Sequence, residues 1–247
     1  MVELRTCRLC VICATGPATD WHNGWMQHLK IDFVSDIACP WCAVGLSSLE
    51  KALQDVQGEI TAELHFQPFE LNPHMGPQGQ DVSEHLTEKY GSTLEQQAQM
   101  REVIRQRGAE VGFTFKPEGR SRVWNTFDAH RLLHWAGETS KHQHALKKAL
   151  LQAFFTHDRC TASHEVLVDV AASVGLDAAR AQEILSGDTY TAEVRAQQQF
   201  YLQAGIHSVP AVIINERHLI SGGQPADVFA RALRQIAVNS ANDTEHA

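Results

Sequence analysis

The chain predicts an α/β fold in which an early β-α-β unit and a late β-β-α unit share one sheet around a large all-helical insertion. Three observations predict it. An apolar run, Leu29 to Val34, leads through a short link into a helix-like stretch and then into an alternating run, Ile60 to Phe66. From about 82 to 204 the apolar spacing is helical throughout. Strand character returns only after Gly205, as two short runs followed by one amphipathic helix.

Each element follows from its residues. Leu29-Lys30-Ile31-Asp32-Phe33-Val34 reads as the first strand. Pro40 suits the first turn of a helix, where its missing N–H costs nothing. Leu46, Leu49, Leu53 and Val56 then give that helix one buried face, and Gly58 ends it. Ile60, Ala62, Leu64 and Phe66 alternate as a second strand, parallel to the first after a right-handed crossover. Pro68, Pro73, Gly76, Pro77 and Gly79 mark a long turn.

Within the helical stretch, Ser92-Thr93-Leu94-Glu95 reads as a capping box. A helix from about 126 to 136 carries Phe127, Leu132, Leu133 and Ala136 and is expected to stop at Gly137. Ser140 is placed as the cap of the next helix, whose apolar face is Ala145, Leu146, Ala149, Leu150, Ala153 and Phe154. Ser163 and Asp177 read as caps of two more, and a last helix spans about 189–204. Val209 to Ile214 and His218 to Ser221 form a hairpin around Asn215-Glu216-Arg217. Pro225 opens a helix with Val228, Phe229, Ala232, Leu233 and Ile236 on one face, and the polar tail from Asn239 is expected to fray. The two ends together read as a thioredoxin-like unit, residues 26–80 and 205–240, with 81–204 as the helical insertion. Residues 1–25 show no period and are expected to be a disordered extension or a non-native start ahead of Met26.

Composition narrows the function. Of 247 residues, 43% are hydrophobic and 20% charged, ordinary for a globular protein with its own core. The net charge of -8 argues against nucleic acid, which requires a basic face. No apolar run reaches the length of a membrane span, so no membrane partner is expected. The patch Leu9 to Ala14 after Arg5 and Arg8 is short for a secretion signal and is interrupted by cysteines. Of the six cysteines, Cys7, Cys10 and Cys13 crowd the first 13 residues, Cys39 and Cys42 form one motif, and Cys160 stands alone. That pattern fits a reducing, cytoplasmic compartment with one dedicated redox pair.

The chemistry centres on Cys39-Pro40-Trp41-Cys42 at the strand-to-helix junction. A thiol at a helix N-terminus faces unpaired N–H groups and the positive end of the dipole, which favour its thiolate. Cys39 is the expected nucleophile, and Cys42, one turn further in, resolves the mixed disulfide. The competing reading is half of a zinc site, for which Cys7, Cys10 and Cys13 could supply the remaining ligands. Pro210 opens a strand of the distant half, where a thioredoxin-like unit packs it against the dithiol. A cis Val209–Pro210 bond is expected there, against the alternative of an ordinary trans strand-starting proline. Asn125 and His130, with Asp128 and Arg131, read either as a polar lining over the site or as a helix cap and an intrahelical ion pair. Pro40, Trp41 and Val209 offer apolar substrate contacts, and Cys160 is expected to be buried and inert.

The run Ser35-Asp36-Ile37-Ala38-Cys39-Pro40-Trp41-Cys42 resembles the FrnE-type branch of the DsbA family, as do Pro68-Phe69-Glu70-Leu71-Asn72-Pro73, Asn125-Thr126-Phe127-Asp128-Ala129-His130-Arg131 and Ser208-Val209-Pro210. The resemblance covers about 29–237 and implies a thioredoxin fold with a helical insert and intracellular thiol–disulfide oxidoreductase activity. It implies Cys39 as attacking thiol, Cys42 as its partner and Pro210 as the cis proline. The related 2-hydroxychromene-2-carboxylate isomerases and kappa-class glutathione transferases share the layout but typically carry serine where this chain has Cys39. The expected substrates are thiol or disulfide proteins or low-molecular-weight thiols, with glutathione admissible as a co-substrate. No metal and no cofactor beyond the Cys39–Cys42 disulfide is expected, and the sequence sets no oligomeric state. Because Trp41 carries no positive charge, the Cys39 thiolate should be less stabilised than in a Cys-Pro-His-Cys enzyme. Alkylation of Cys39 against pH reads this directly, and an apparent pKa of about 3.5, the DsbA extreme, contradicts it.

Overall fold

The computed structural model describes residues 26–139 and 142–245. Ser140 and the first 25 residues, with Cys7, Cys10 and Cys13, lie outside the described residues. A four-stranded sheet has the order β2-β1-β5-β6, where β1 is Gln27–Ser35, β2 Ile60–Pro68, β5 Ala211–Ile214 and β6 His218–Ser221. β1 runs parallel to β2 and antiparallel to β5, which pairs antiparallel with β6. β1 and β5, from opposite ends of the chain, are thus neighbours, and Phe33 faces Phe66 on one side and Val212 on the other.

The alternation of β1 divides the core. Leu29, Ile31 and Phe33 point toward helix α1 (Pro40–Asp55) and helix α9 (Ala226–Glu245), where Leu46, Leu49, Phe229 and Leu233 join them. Val34 points the other way, into a smaller cluster with Phe69, Tyr201, Ile206 and Ala211. Between β2 and β5 the chain forms α2 (Val82–Tyr90), α3 (Leu94–Glu110), α4 (Phe127–Thr139), α5 (Gln143–Phe155), α6 (His164–Ser173), α7 (Ala178–Ser186) and α8 (Thr191–Gln203). Ser163 caps α6 through Val166 N–H, and Asp177 caps α7 through Ala179 and Arg180 N–H. A two-residue antiparallel pair, β3 (Gln80–Asp81) with β4 (Arg122–Val123), closes the stretch before α4, and no sequence pattern announces so short a clasp.

Three local expectations shift. The capping box forms one residue later, between Thr93 and Gln96, because the Gln96 amide answers the Thr93 N–H at 2.9 Å. α4 runs two residues past Gly137 to Thr139. Gly137 is needed there for space: a Cβ would fall 2.6 Å from Gln143 Nε2. α9 continues through Asn239 to Glu245, since no Gly or Pro interrupts that segment.

The Gln143 amide explains the crowding at Gly137. Its Oε1 accepts from Phe66 N–H at 3.0 Å, and its Nε2 donates to the carbonyls of Phe66 at 3.2 Å and Leu133 at 3.1 Å. β2 is an outer strand, so one side chain of the insertion satisfies backbone groups that no strand pairs. Gln143→Ala leaves these groups partly enclosed and unmatched, and the urea midpoint should fall by the equivalent of about 1–3 kcal/mol. An unchanged midpoint refutes the assignment.

Candidate active site

β1 ends in the short link Asp36-Ile37-Ala38, and α1 begins at Pro40 with Cys39 in the N-cap position. Cys39 has extended backbone angles and no side-chain cap, so its sulfur replaces the usual Ser or Asp oxygen at the helix entrance. The opposite wall comes from the chain's other end. The Val209–Pro210 peptide bond is cis, and the Val209 carbonyl oxygen lies 3.5 Å from Cys39 Sγ. Two glycines allow this approach. A Cβ on Gly45 would meet Pro210 Cγ at 3.0 Å, and one on Gly223 would meet the Trp41 carbonyl at 2.9 Å. α1 can therefore lie directly on the Pro210 loop and on the turn after β6.

The sequence suggests an exposed attacking sulfur, and the structure differs. Cys39 is 4% exposed and Cys42 fully buried. The Val209–Pro210 loop crosses over Cys39, and half-buried Trp41 and Val209 flank it. Both cysteines are free thiols. Their ionisation is split. The Cys42 thiol, followed by the N–H groups of Cys42 and Trp41, hydrogen-bonds the Cys39 sulfur; these outweigh burial and the Asp36 charge and push Cys39 down from its usual value. Burial first, and then Cys39 itself, push Cys42 well up. Ionisation is thus favoured at Cys39 and opposed at Cys42.

Below them sits Asp36, 1% exposed. Its Oδ1 accepts from Ala38 N–H at 3.2 Å and its Oδ2 from Leu71 N–H at 2.7 Å. His130 Nε2 lies 3.5 Å from Oδ1. Burial alone would raise the Asp36 carboxyl, but His130, Leu71 N–H and the Thr126 hydroxyl together hold it below the usual carboxylate range. His130 is therefore a buried partner of Asp36 rather than a residue lining an open surface, because α4 turns it inward. Asn125 is likewise committed to backbone: its Nδ2 donates to Met75 carbonyl at 3.0 Å and its Oδ1 accepts from Phe127 N–H at 2.9 Å. Asp128 and Arg131 form the expected ion pair at 2.8 Å, and Arg131 also donates to the carbonyls of Thr189, Ile184 and Gly187.

Three further residues belong to the site with no sequence signal beyond their type. Arg120 Nη1 donates to the Ala38 carbonyl at 3.3 Å, and its guanidinium lies 5.2 Å from the ring centres of Phe154 and Phe155. Burial lowers it to about 10, against the opposing charges of Cys39 and Asp36. Lys147 of α5 is fully buried, with no hydrogen-bond partner for its Nζ. Tyr90 stands at the rim, largely exposed, and partial burial followed by the Cys39 charge raises its phenol. Cys160 is half-buried in the turn before α6, less enclosed than expected. Among the described residues no group of three or more His, Cys, Asp or Glu is placed to hold a metal ion, and no helix is long and apolar enough to cross a membrane.

Asp36 yields a prediction with two readouts. Its folded carboxyl titrates below the usual 3.8, so its contribution to stability is complete above that pH and is lost as pH falls through the lower folded value. Asp36→Asn should flatten this acid limb in urea unfolding. It also removes a negative neighbour of Cys39, so alkylation of Cys39 should move to lower pH. A shift to higher pH contradicts the arrangement.

Comparison with known proteins agrees with this geometry. Residues 30–234 match the model of the DSBA-like thioredoxin domain. The uncharacterized protein YwbO of Bacillus subtilis (strain 168) is 30% identical over 207 residues, 83% of this chain and 95% of that protein. The crystal structure of probable DsbA oxidoreductase SCO1869 from Streptomyces coelicolor is 36% identical with a TM-score of 0.79, covering 86% of this chain and 91% of that one. A 2-hydroxychromene-2-carboxylate isomerase structure shares the fold at 13% identity and a TM-score of 0.65, over 86% of this chain and 98% of that one. With a thioredoxin-like sheet, an extensive helical insertion and a matching model across most of its length, the chain belongs to the DSBA-like thioredoxin domain family.

Proposed function

We propose that the protein is a thiol–disulfide oxidoreductase that works through the Cys39-Pro40-Trp41-Cys42 dithiol on thiol or disulfide proteins or low-molecular-weight thiols. The observation that carries this reading is the placement of two free thiols one turn apart at the start of α1, with the Val209 carbonyl 3.5 Å from Cys39 Sγ; the opposed directions of their ionisation support it. In the reducing direction the Cys39 thiolate attacks one sulfur of a substrate disulfide. A mixed disulfide forms and the other substrate sulfur leaves as a thiolate. Cys42 then gives up its proton and attacks Cys39 Sγ, so that the internal disulfide closes and the substrate's first sulfur departs. In the oxidising direction the same steps run backward, with a substrate thiolate attacking Cys39 Sγ. The Val209 carbonyl beside Cys39 is the backbone edge along which an extended substrate would lie. The distribution of the cysteines along the sequence supports action in a reducing, cytoplasmic compartment.

The fold shared with a 2-hydroxychromene-2-carboxylate isomerase supports a second reading, glutathione-dependent isomerisation or transfer on a small aromatic compound. Variants separate the two. Cys39→Ser abolishes insulin reduction under the first reading and leaves glutathione-dependent turnover largely intact under the second. Cys42→Ser should trap a mixed disulfide on Cys39, visible by mass as a covalent adduct that dithiothreitol releases. Full insulin reduction by Cys39→Ser overturns the proposal.

A further inference from the structure

The resolving step has an unanswered requirement. Cys42 is fully buried and out of contact with bulk solvent, and burial opposes its ionisation, so the resolving step is helped by an acceptor that is itself inside the core. Lys147 is inside. It ranks with Phe33 and Phe154 among the largest fully buried side chains, and a buried ammonium without a hydrogen-bond partner is costly. Nothing in the packing of α5 requires a lysine there, since the neighbouring inward positions Leu146, Leu150 and Leu151 are apolar.

The placement of α5 brings this lysine toward the dithiol. Cys42, Leu46 and Glu50 recur every four residues along one side of α1. Glu50 marks where α5 meets that side: it takes His144 Nε2 at 2.5 Å and Lys148 Nζ at 3.0 Å. Lys147 lies between those two anchors in sequence and turns into the core instead of outward. Cys42 is the titratable neighbour that couples to it most strongly, followed by Asp36 and Cys39, and Lys147 is the cation that favours the Cys42 thiolate. Of the other charged groups nearby, Arg120 stands on the Cys39 side, at the Ala38 carbonyl. His144 and Lys148 hold Glu50, Asp128 holds Arg131 and His164, Asp169 holds Arg159, and His130 faces Asp36.

Resting on the dithiol reading above, we propose that Lys147 is the proton partner of Cys42, contributed by the helical insertion to the thioredoxin-like unit. As Cys42 Sγ bonds to Cys39 Sγ and the substrate sulfur leaves Cys39, the Cys42 proton passes to the neutral Lys147 amine, which becomes an ammonium. In the oxidising direction that ammonium returns the proton to the departing Cys42 thiolate. Burial lowers Lys147 to about 8, which leaves an appreciable neutral fraction near neutral pH, as a proton acceptor needs.

The test isolates the resolving step. 5,5′-dithiobis(2-nitrobenzoate) places a thionitrobenzoate on Cys39, and attack by Cys42 releases it as a coloured thiolate in single turnover. In the wild type the release rate should rise with pH and level off once Lys147 is neutral. A rate that climbs without inflection overturns the proposal, and this readout needs no variant. Lys147→Met should slow release at neutral pH by roughly a hundredfold and remove the plateau, as loss of a general base does. Initial labelling of Cys39, measured in a Cys42→Ser background, should change far less. Lys147→Arg keeps the charge but cannot accept a proton. It should be as slow as Lys147→Met, and a wild-type rate in Lys147→Arg rejects proton transfer in favour of a fixed charge. Equal slowing of labelling and release by Lys147→Met also rejects it, as a structural effect. No release from the wild type at all would instead remove the dithiol reading on which the inference stands.

Discussion

A buried carboxylate holds this molecule together at the place where its two halves meet. Asp36 accepts from the α1 entrance at Ala38, from the segment after β2 at Leu71, and faces His130 on α4 of the insertion. An ionised group in that position is tolerable only because each oxygen is occupied. The same contacts that stabilise the charge fix the link between β1 and α1, and that link aims Cys39. The arrangement also sets a limit: a negative charge beneath Cys39 opposes its thiolate, so the sulfur depends on the Cys42 thiol and the N–H groups of α1 to ionise. Site and scaffold are therefore adjusted against one another through a single side chain.

Much of the fold was legible because the relevant signals are local. Strand alternation in Ile60–Phe66, the helical spacing of Leu46, Leu49 and Leu53, and the caps Ser163 and Asp177 each depend on a few neighbouring residues. The dithiol was legible for the same reason, as four consecutive residues. Gly137 misled because its reason is tertiary: it makes room for the Gln143 side chain, and a glycine that makes space resembles one that ends a helix. For His130 and Asn125 the sequence leaves two roles open. Polar residues in a motif suggest contact with substrate, whereas burial and backbone partners absorb them here. Arg120 and Lys147 could not be singled out from sequence, since a cation looks alike on a solvated face and in a core until the packing is known.

Those two cations change how the protein's acidity should be read. The chain carries a net charge of -8, yet the surroundings of Cys39 and Cys42 contain Arg120, half-buried over the Phe154 and Phe155 rings, and Lys147, fully enclosed. Overall charge governs long-range encounter and solubility. Local charge governs the thiols, because low-dielectric surroundings preserve short-range fields that water would screen. Both cations come from the insertion, so the helical segment supplies electrostatics to the thiols of α1 as well as cover.

The Gln143 amide has a consequence for association. Unpaired backbone at a sheet margin is a template onto which another molecule can add a strand. At Phe66 that template is already filled from within, by a side chain that offers a donor and an acceptor in the places a neighbouring strand would. The opposite margin, β6, is only four residues long and gives little to build on. Self-assembly through continuous hydrogen-bonded ribbons is thereby interrupted at Phe66 of β2 by chemistry and disfavoured at β6 by brevity.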